Sequence, residues 1–223
     1  MILSIETSTT VCSAALHNDG KLIAFEITHV PNSAASQLAL MIDKLLRQPS
    51  VKLEAVAVSS GPGSYTGLRI GVATAKGICY ALSLPLIAVN SLALMSSEVN
   101  SKLEAINCLL CPMIDARRME VYTALFDNKL DLVSPIEAKI IDGFSFAEQL
   151  KDHKVLFFGN GSEKCKSTIT HPNAVFVDNI FPSAEYMGSL AYDRFRSGKF
   201  EDVGDFEPAY LKDFIAKKPK SLV

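Results

Sequence analysis

In residues 2–29, ILSIETSTTVCSAALHNDGKLIAFEITH, three short strands follow one another. Residues 2–6 form the first, ended by the polar loop Thr7-Ser8-Thr9-Thr10. Residues 11–17 and 21–29 form the next two. Asn18-Asp19-Gly20 joins them, because Asn, Asp and Gly tolerate the positive φ of a tight hairpin turn. Downstream the period changes. Leu38, Met41, Ile42, Leu45 and Leu46 recur at i, i+3, i+4, i+7 and i+8, which predicts a helix over 33–47. A buried strand over 54–60, a turn at Gly61-Pro62-Gly63-Ser64 and a second helix over 66–82 come next. A strand over 86–89 and a third helix over 91–101 complete the set.

The order β-β-β-α-β-α-β-α then starts again. Residues 106–115, 120–127 and 130–141 read as strands, 144–153 as a helix, 155–158 as a strand and 162–168 as a short helix. A strand over 174–178 and an amphipathic helix over 183–197 follow, with Met187, Leu190, Ala191 and Phe195 on one helix face and Gly198 as the C-terminal cap. The repeat is one of element order, not of sequence identity. A duplicated unit of this kind is the layout of the actin, sugar-kinase and Hsp70 (ASKHA) superfamily, so the expected fold class is a two-lobed α/β protein. The expected division is an N-terminal lobe over 1–103, a C-terminal lobe over 104–205 and a segment over 206–223 that returns to the N-terminal lobe. That segment carries Lys217, Lys218 and Lys220 as a solvated basic tail.

Bulk composition narrows the function. The 223 residues carry a net charge of −2, without the basic excess of a protein that grips nucleic acid alone, so any RNA contact would be shared with a partner. Five cysteines, an odd number, argue against a disulfide framework and for a reducing cytoplasm. Cys108 and Cys111 have a CxxC spacing but sit on a strand, where residues three apart face opposite sides. Residues 70–89 superficially resemble a membrane span, yet Lys76 and Pro85 interrupt them, and a buried helix plus a buried strand is the better reading. Met1 to Ile5 is too short for the core of a signal segment.

The densest signal is Ser60-Gly61-Pro62-Gly63-Ser64-Tyr65-Thr66-Gly67-Leu68-Arg69-Ile70-Gly71. A glycine-rich turn entering a helix can cradle a phosphate, but no Lys follows as a P-loop requires. A tight strand-to-helix turn is the simpler reading. Stepping 100° per residue round the second helix places Arg69, Lys76 and Tyr80 on one narrow side, with apolar or small residues over the rest. One sheet covers about half of a helix circumference, so burial on two sides is expected. Gly67, Gly71 and Ala75 form a small-residue row that admits close approach. Either the first helix or a partner protein covers the second side. Leu40 lies on the polar face of the first helix, among Ser36, Asp43, Lys44 and Arg47.

Four segments together resemble one family. They are residues 61–77, the opening Ile2-Leu3-Ser4-Ile5-Glu6-Thr7-Ser8, the run Ile114-Asp115-Ala116-Arg117-Arg118-Met119-Glu120-Val121-Tyr122, and Pro208-Ala209-Tyr210-Leu211-Lys212. The pattern is similar to that of the TsaB family, dense over 1–127 and thin over 128–205. Glu6 stands where Asp is usual, Tyr65 where Phe is usual and Lys212 where Arg is usual. The resemblance implies the ASKHA fold and a non-catalytic role beside a catalytic paralogue, TsaD, and an ATPase, TsaE, which together attach a threonylcarbamoyl group to the adenosine 3′ to the tRNA anticodon. It implies a partner interface on the first two helices at Ser36, Leu40, Asp43, Gly67, Ile70, Gly71 and Thr74, and a homodimer when the partner is absent. It implies a vestigial nucleotide site at Thr7, Ser8 and Asp115, with Arg117 and Arg118 standing where a small residue would let phosphates approach, and Gly159-Asn160-Gly161 faintly like an adenosine-binding turn. No cofactor is expected of this chain itself, ATP and metal belonging to its partners.

The histidines agree with that division, since the closest pair, His17 and His29, is 12 residues apart and cannot share a helical metal motif. The missing pair counts against a metallopeptidase. The poor phosphate loops count against an active ATP-dependent kinase of the same fold.

Overall fold

Two five-stranded mixed sheets with the same internal plan form the frame. The computed structural model describes residues 1–103 and 107–212. In the first sheet β1 (Ile2–Glu6), β2 (Cys12–Asn18) and β3 (Lys21–Thr28) run antiparallel. After α1 (Ala34–Leu46), β4 (Ala55–Ser59) pairs parallel with β1; after α2 (Tyr65–Leu82), β5 (Leu86–Val89) pairs parallel with β4. The sheet order is β3-β2-β1-β4-β5. Following α3 (Ser91–Leu103), the second half repeats the plan with β6 (Cys108–Asp115), β7 (Glu120–Phe126), β8 (Leu132–Ile140), α4 (Ala147–Asp152), β9 (Lys154–Phe158), β10 (Ala174–Val177) and α5 (Gly188–Arg196), in the order β10-β9-β6-β7-β8. The element order read from the sequence is the one observed.

Several boundaries differ for local reasons. β8 starts at Leu132 because the Asp127 carboxylate accepts the N–H groups of Lys129 (2.8 Å) and Asp131 (2.9 Å) and winds residues 127–131 into a turn. The helix expected over 144–153 is confined to α4, since Phe146 takes φ +64°. The helix expected over 162–168 is only a 3-10 turn, Glu163–Cys165. The start of the strand expected at Ile106 and the basic tail at Lys217, Lys218 and Lys220 lie outside the described residues.

β1, β4 and β5 are buried along their whole length, as strands covered on both faces must be. On one face lie α1 and α2, through Leu38, Met41, Ile42 and Leu45, and through Val72, Ala75 and Cys79. The opposite face is covered from the other half of the chain, by Met187 and by Ala191 of α5, together with Leu94 of α3. The second sheet receives α3 in return: Leu92, Met95 and Val99 pack with Leu110, Ile114, Phe126 and Phe158. Its outer face holds Phe157 between Phe146 and Phe176, with ring centroids 5.3 and 5.2 Å away. Each half thus lends one helix to the other's sheet. Two side chains of β2 pin the exchange: Ser13 Oγ accepts the Ala184 N–H (2.9 Å), and His17 Nε2 lies 3.1 Å from the Glu185 carbonyl oxygen. Burial lowers the His17 pKa, so the ring is neutral, donates from Nε2 to that carbonyl and accepts the Ser4 hydroxyl at Nδ1 (3.0 Å).

α2 presses on the loop after β1. Thr7 Oγ1 donates to the Gly67 carbonyl (2.8 Å), and a Cβ at Gly67 or Gly71 would overlap Thr7. Gly77, two turns on, has no atom near its missing Cβ. A Gly67→Ala chain is therefore expected to lose about 1–3 kcal/mol of stability, because the loop must yield. Gly77→Ala should gain about 0.5–1 kcal/mol from reduced chain entropy. Thermal unfolding of the two variants checks the opposite signs.

Candidate functional site

The glycine-rich stretch folds back on its own chain. Gly61-Pro62 is a cis peptide, and the next turn delivers the Ser64 N–H to the Ser8 carbonyl (2.6 Å). Ser64 caps α2 by accepting the Gly67 N–H (3.3 Å). Two donors at this helix start, the Ser64 and Gly67 N–H groups, are thus taken by Ser8 and Ser64.

Beside this turn a cleft of about 680 Å³ separates the two halves. Ser8, Thr9 and Thr10 line one wall and Asp115, Ala116 and Arg117 the other, with Tyr65 and Tyr210 at one side and Asn160 at the far end. The structure brings Ser8 and Asp115 to opposite walls. Thr7 is a correction: it is buried against α2 and does not line the cleft, because its hydroxyl is committed to Gly67. The second loop is self-satisfied as well. The Ala116 N–H reaches the Glu120 carbonyl (3.1 Å), the Arg117 N–H reaches Asp115 Oδ1 (3.1 Å), and Asp115 forms an ion pair with Lys164. Arg117 and Arg118 both take positive φ to close this turn.

The C-terminal segment straps the cleft. Lys76 donates to the carbonyls of Gly204 (2.9 Å) and Phe206 (3.1 Å), and the Ala209 N–H donates to Ser60 (2.8 Å). Tyr210 packs on Tyr65 with centroids 4.9 Å apart, and Lys212 pairs with Glu120 of the second half. The sequence places Lys76 on the narrow polar side of α2, and only the fold supplies the carbonyls it holds.

On the outer side of the first half, α1 exposes Ser36, Asp43 and Leu40, the last 62% exposed. Asp43 pairs with Arg47 (2.7 Å). Ile70 and Thr74 of α2 are half-buried, Ile70 packing with Ile78 against the core that α1 completes. α1 thus covers the second apolar side of α2. Gly67 and Gly71 correct the sequence expectation: both are buried against Thr7, so the small-residue row is used inside the chain. Beside Arg69, the face that α2 presents instead includes Thr66, Ala73, Gly77 and Tyr80, the last 85% exposed. These lie between about 120° and 180° on the same wheel, a spacing visible in the sequence but without a marker of exposure.

Cys108 and Cys111 pack on opposite faces of β6, in different clusters. Among the described residues no three His, Cys, Asp or Glu side chains gather as a metal site would require.

Glu6, at the end of β1, is fully buried. The Ser8 N–H donates to its Oε1, and Oε2 has no hydrogen-bond partner. Burial pushes its carboxyl up to about 7, against the pull of Ser8 and Ser59. A folded pKa above the unfolded value means that the folded state holds the proton more tightly. Stability is therefore full below the unfolded carboxylate range and falls as pH rises through about 7. Glu6→Gln should gain up to about 3 kcal/mol at alkaline pH and little in acid. Denaturant midpoints of both chains across this range test it, and parallel pH profiles would refute it.

Comparison with known proteins adds the family. Residues 30–219 match the family model for TsaD, described as tRNA N6-adenosine threonylcarbamoyltransferase. The tRNA threonylcarbamoyladenosine biosynthesis protein TsaB of Escherichia coli strain K12 is 31% identical, over 97% of this chain and 96% of its own length. The structure of YeaZ from Pseudomonas aeruginosa superimposes with a TM-score of 0.83 at 25% identity, over 94% of this chain and 99% of that one. An inorganic polyphosphate/ATP-glucomannokinase from Arthrobacter sp. strain KM shares the fold alone, at a TM-score of 0.50 and 14% identity over 88% of this chain and 98% of that one. With the fold shared and nearly the whole chain aligned at 31% identity, the chain belongs to the TsaB family.

Proposed function

We propose that this chain is a non-catalytic subunit of the machinery that modifies tRNA with threonylcarbamoyladenosine. It acts with a TsaD-type catalytic subunit and a TsaE-type ATPase in moving the threonylcarbamoyl group from threonylcarbamoyl-AMP to N6 of the adenosine 3′ to the anticodon. The observation that carries the reading is the state of the two cleft loops. Around Ser8 and around Asp115, backbone donors of the kind that hold phosphates in active members of the fold are spent on the chain's own oxygens. In this proposal the chain brings no cofactor, and ATP and metal belong to the partners. Contact with tRNA is indirect, in keeping with a net charge of −2. The compartment is the cytoplasm. Among the described residues no helix is long and apolar enough to cross a membrane.

The docking surface in this proposal is the exposed face of α1 and α2, around Ser36, Leu40, Asp43 and Ala73, which also joins two copies when the partner is absent. A largely exposed Leu on α1 and the small exposed residues Ala73 and Gly77 on α2 suit helix-on-helix packing. Leu40→Glu should weaken binding to the TsaD-type partner at least tenfold while the melting temperature stays nearly constant, since Leu40 is outside the core. Wild-type affinity in Leu40→Glu, and also in Ser36→Lys and Asp43→Lys, would move the docking surface elsewhere.

The cleft itself favours a second reading, an ATP-dependent kinase. The two part on turnover. The pure chain is expected to show no metal-dependent ATP hydrolysis above a buffer control, and hydrolysis that survives stringent repurification would favour the kinase.

A further inference from the structure

The C-terminal strap has two parts that are held in different ways. Its foot, residues 201–206, is fixed to the first half. The Glu201 N–H donates to the Leu86 carbonyl (2.9 Å), and Asp202 Oδ1 accepts the N–H groups of Gly204 (2.7 Å) and Asp205 (2.9 Å). Val203 and Phe206 pack against the first core. The arm, residues 207–212, is largely exposed and forms neither helix nor strand. It lies on the glycine-rich turn so closely that a Cβ at Gly61 would stand 2.9 Å from the Ala209 carbonyl oxygen. It then crosses the cleft, where Lys212 meets Glu120.

Two cations on one side of α2 hold both parts. Lys76 holds the foot through the Gly204 and Phe206 carbonyls. Arg69, two helical turns earlier and so on the same side, lies over the Tyr65 ring (4.9 Å) and donates to its hydroxyl (2.8 Å). Tyr65 in turn carries Tyr210 of the arm. The back of the cleft is joined differently, by Leu94, Met187 and Ala191, all fully buried with the first sheet. Parting the back exposes apolar surface, whereas lifting the arm breaks only polar and ring contacts near solvent. Local opening starts where buried apolar contacts are fewest, so the arm yields before the back does. Its release frees the second loop, tied at Glu120, from the first half at the mouth of the cleft.

We propose that residues 207–212 are a releasable latch over the mouth of the cleft, set by Lys76 and Arg69 from α2, and that a protein docked on the exposed face of α2 locks it. The locking rests on the docking surface proposed above for α1 and α2; the latch itself belongs to the chain alone.

The test follows amide hydrogen exchange of the full chain by mass spectrometry, alone and with a saturating TsaD-type partner. In the chain alone, Lys76→Met should speed exchange over 207–212 and over the second-loop segment 115–122 at least threefold, with a nearly unchanged melting temperature. Lys76→Arg, which keeps the charge and the donors, should restore the wild-type rates. Glu120→Gln should speed exchange over 210–212 and 115–122 and leave the foot, 201–206, as it is. Equal rates in wild type, Lys76→Met and Glu120→Gln would overturn the latch. With the partner, exchange over 207–212 and 115–122 should slow at least tenfold in wild type and less than threefold in Lys76→Met, while α1 is protected in both. Protection of α1 and α2 with no slowing over the latch overturns the locking. No protection of α1 and α2 refutes the docking surface instead, and the rates of the chain alone still decide the latch.

Discussion

The contact between Thr7 and the first turns of α2 sets the geometry around it. Thr7 Oγ1 reaches the Gly67 carbonyl, and the Gly67 and Gly71 positions leave room only for hydrogen beside it. Helix and loop are therefore in near backbone contact, which holds α2 over the central β1–β4 pair at the point where the chain turns toward the cleft. The same contact withdraws Thr7 from the cleft, aims Ser64 at the Ser8 carbonyl and buries Glu6 behind the loop. A bulkier residue at either glycine would push the loop outward and alter all three.

The exchange of helices between halves explains why the two sheets behave as one body. α3 and α5 are each required by the sheet that the other half supplies. Neither sheet has a covered second face without the other, so hydrophobic burial couples the halves directly. The strap from Gly204 to Lys212 adds a polar tie over the cleft, through Lys76 on one side and Glu120 on the other. The cleft is thus braced by contacts from both halves.

Charge is distributed to the same end. The carboxylate and the N–H groups that line the second loop satisfy one another, and the Glu6 carboxyl is held near neutrality by burial. Among the described residues, buried side-chain oxygens without a hydrogen bond of normal geometry remain on Glu6, Ser8, Ser33, Ser91 and Glu98.

The local features were legible in the sequence because they are written in short periods. Alternation and 3.6-residue spacing carried the strands and helices, Asn18-Asp19-Gly20 the hairpin, and the lone Leu40 among polar residues an exposed apolar side chain. Periodicity states that a face is buried and is silent on what buries it. The row Gly67, Gly71, Ala75 therefore read equally well as a partner surface, and only the fold showed Thr7 lying against its glycines. The exchange of α3 and α5, the burial of Glu6 and the carbonyls gathered round Lys76 likewise depend on residues far away in the chain. Spacing along the sequence determined which elements form; the distances that close between remote segments decided which of their faces remained open for function.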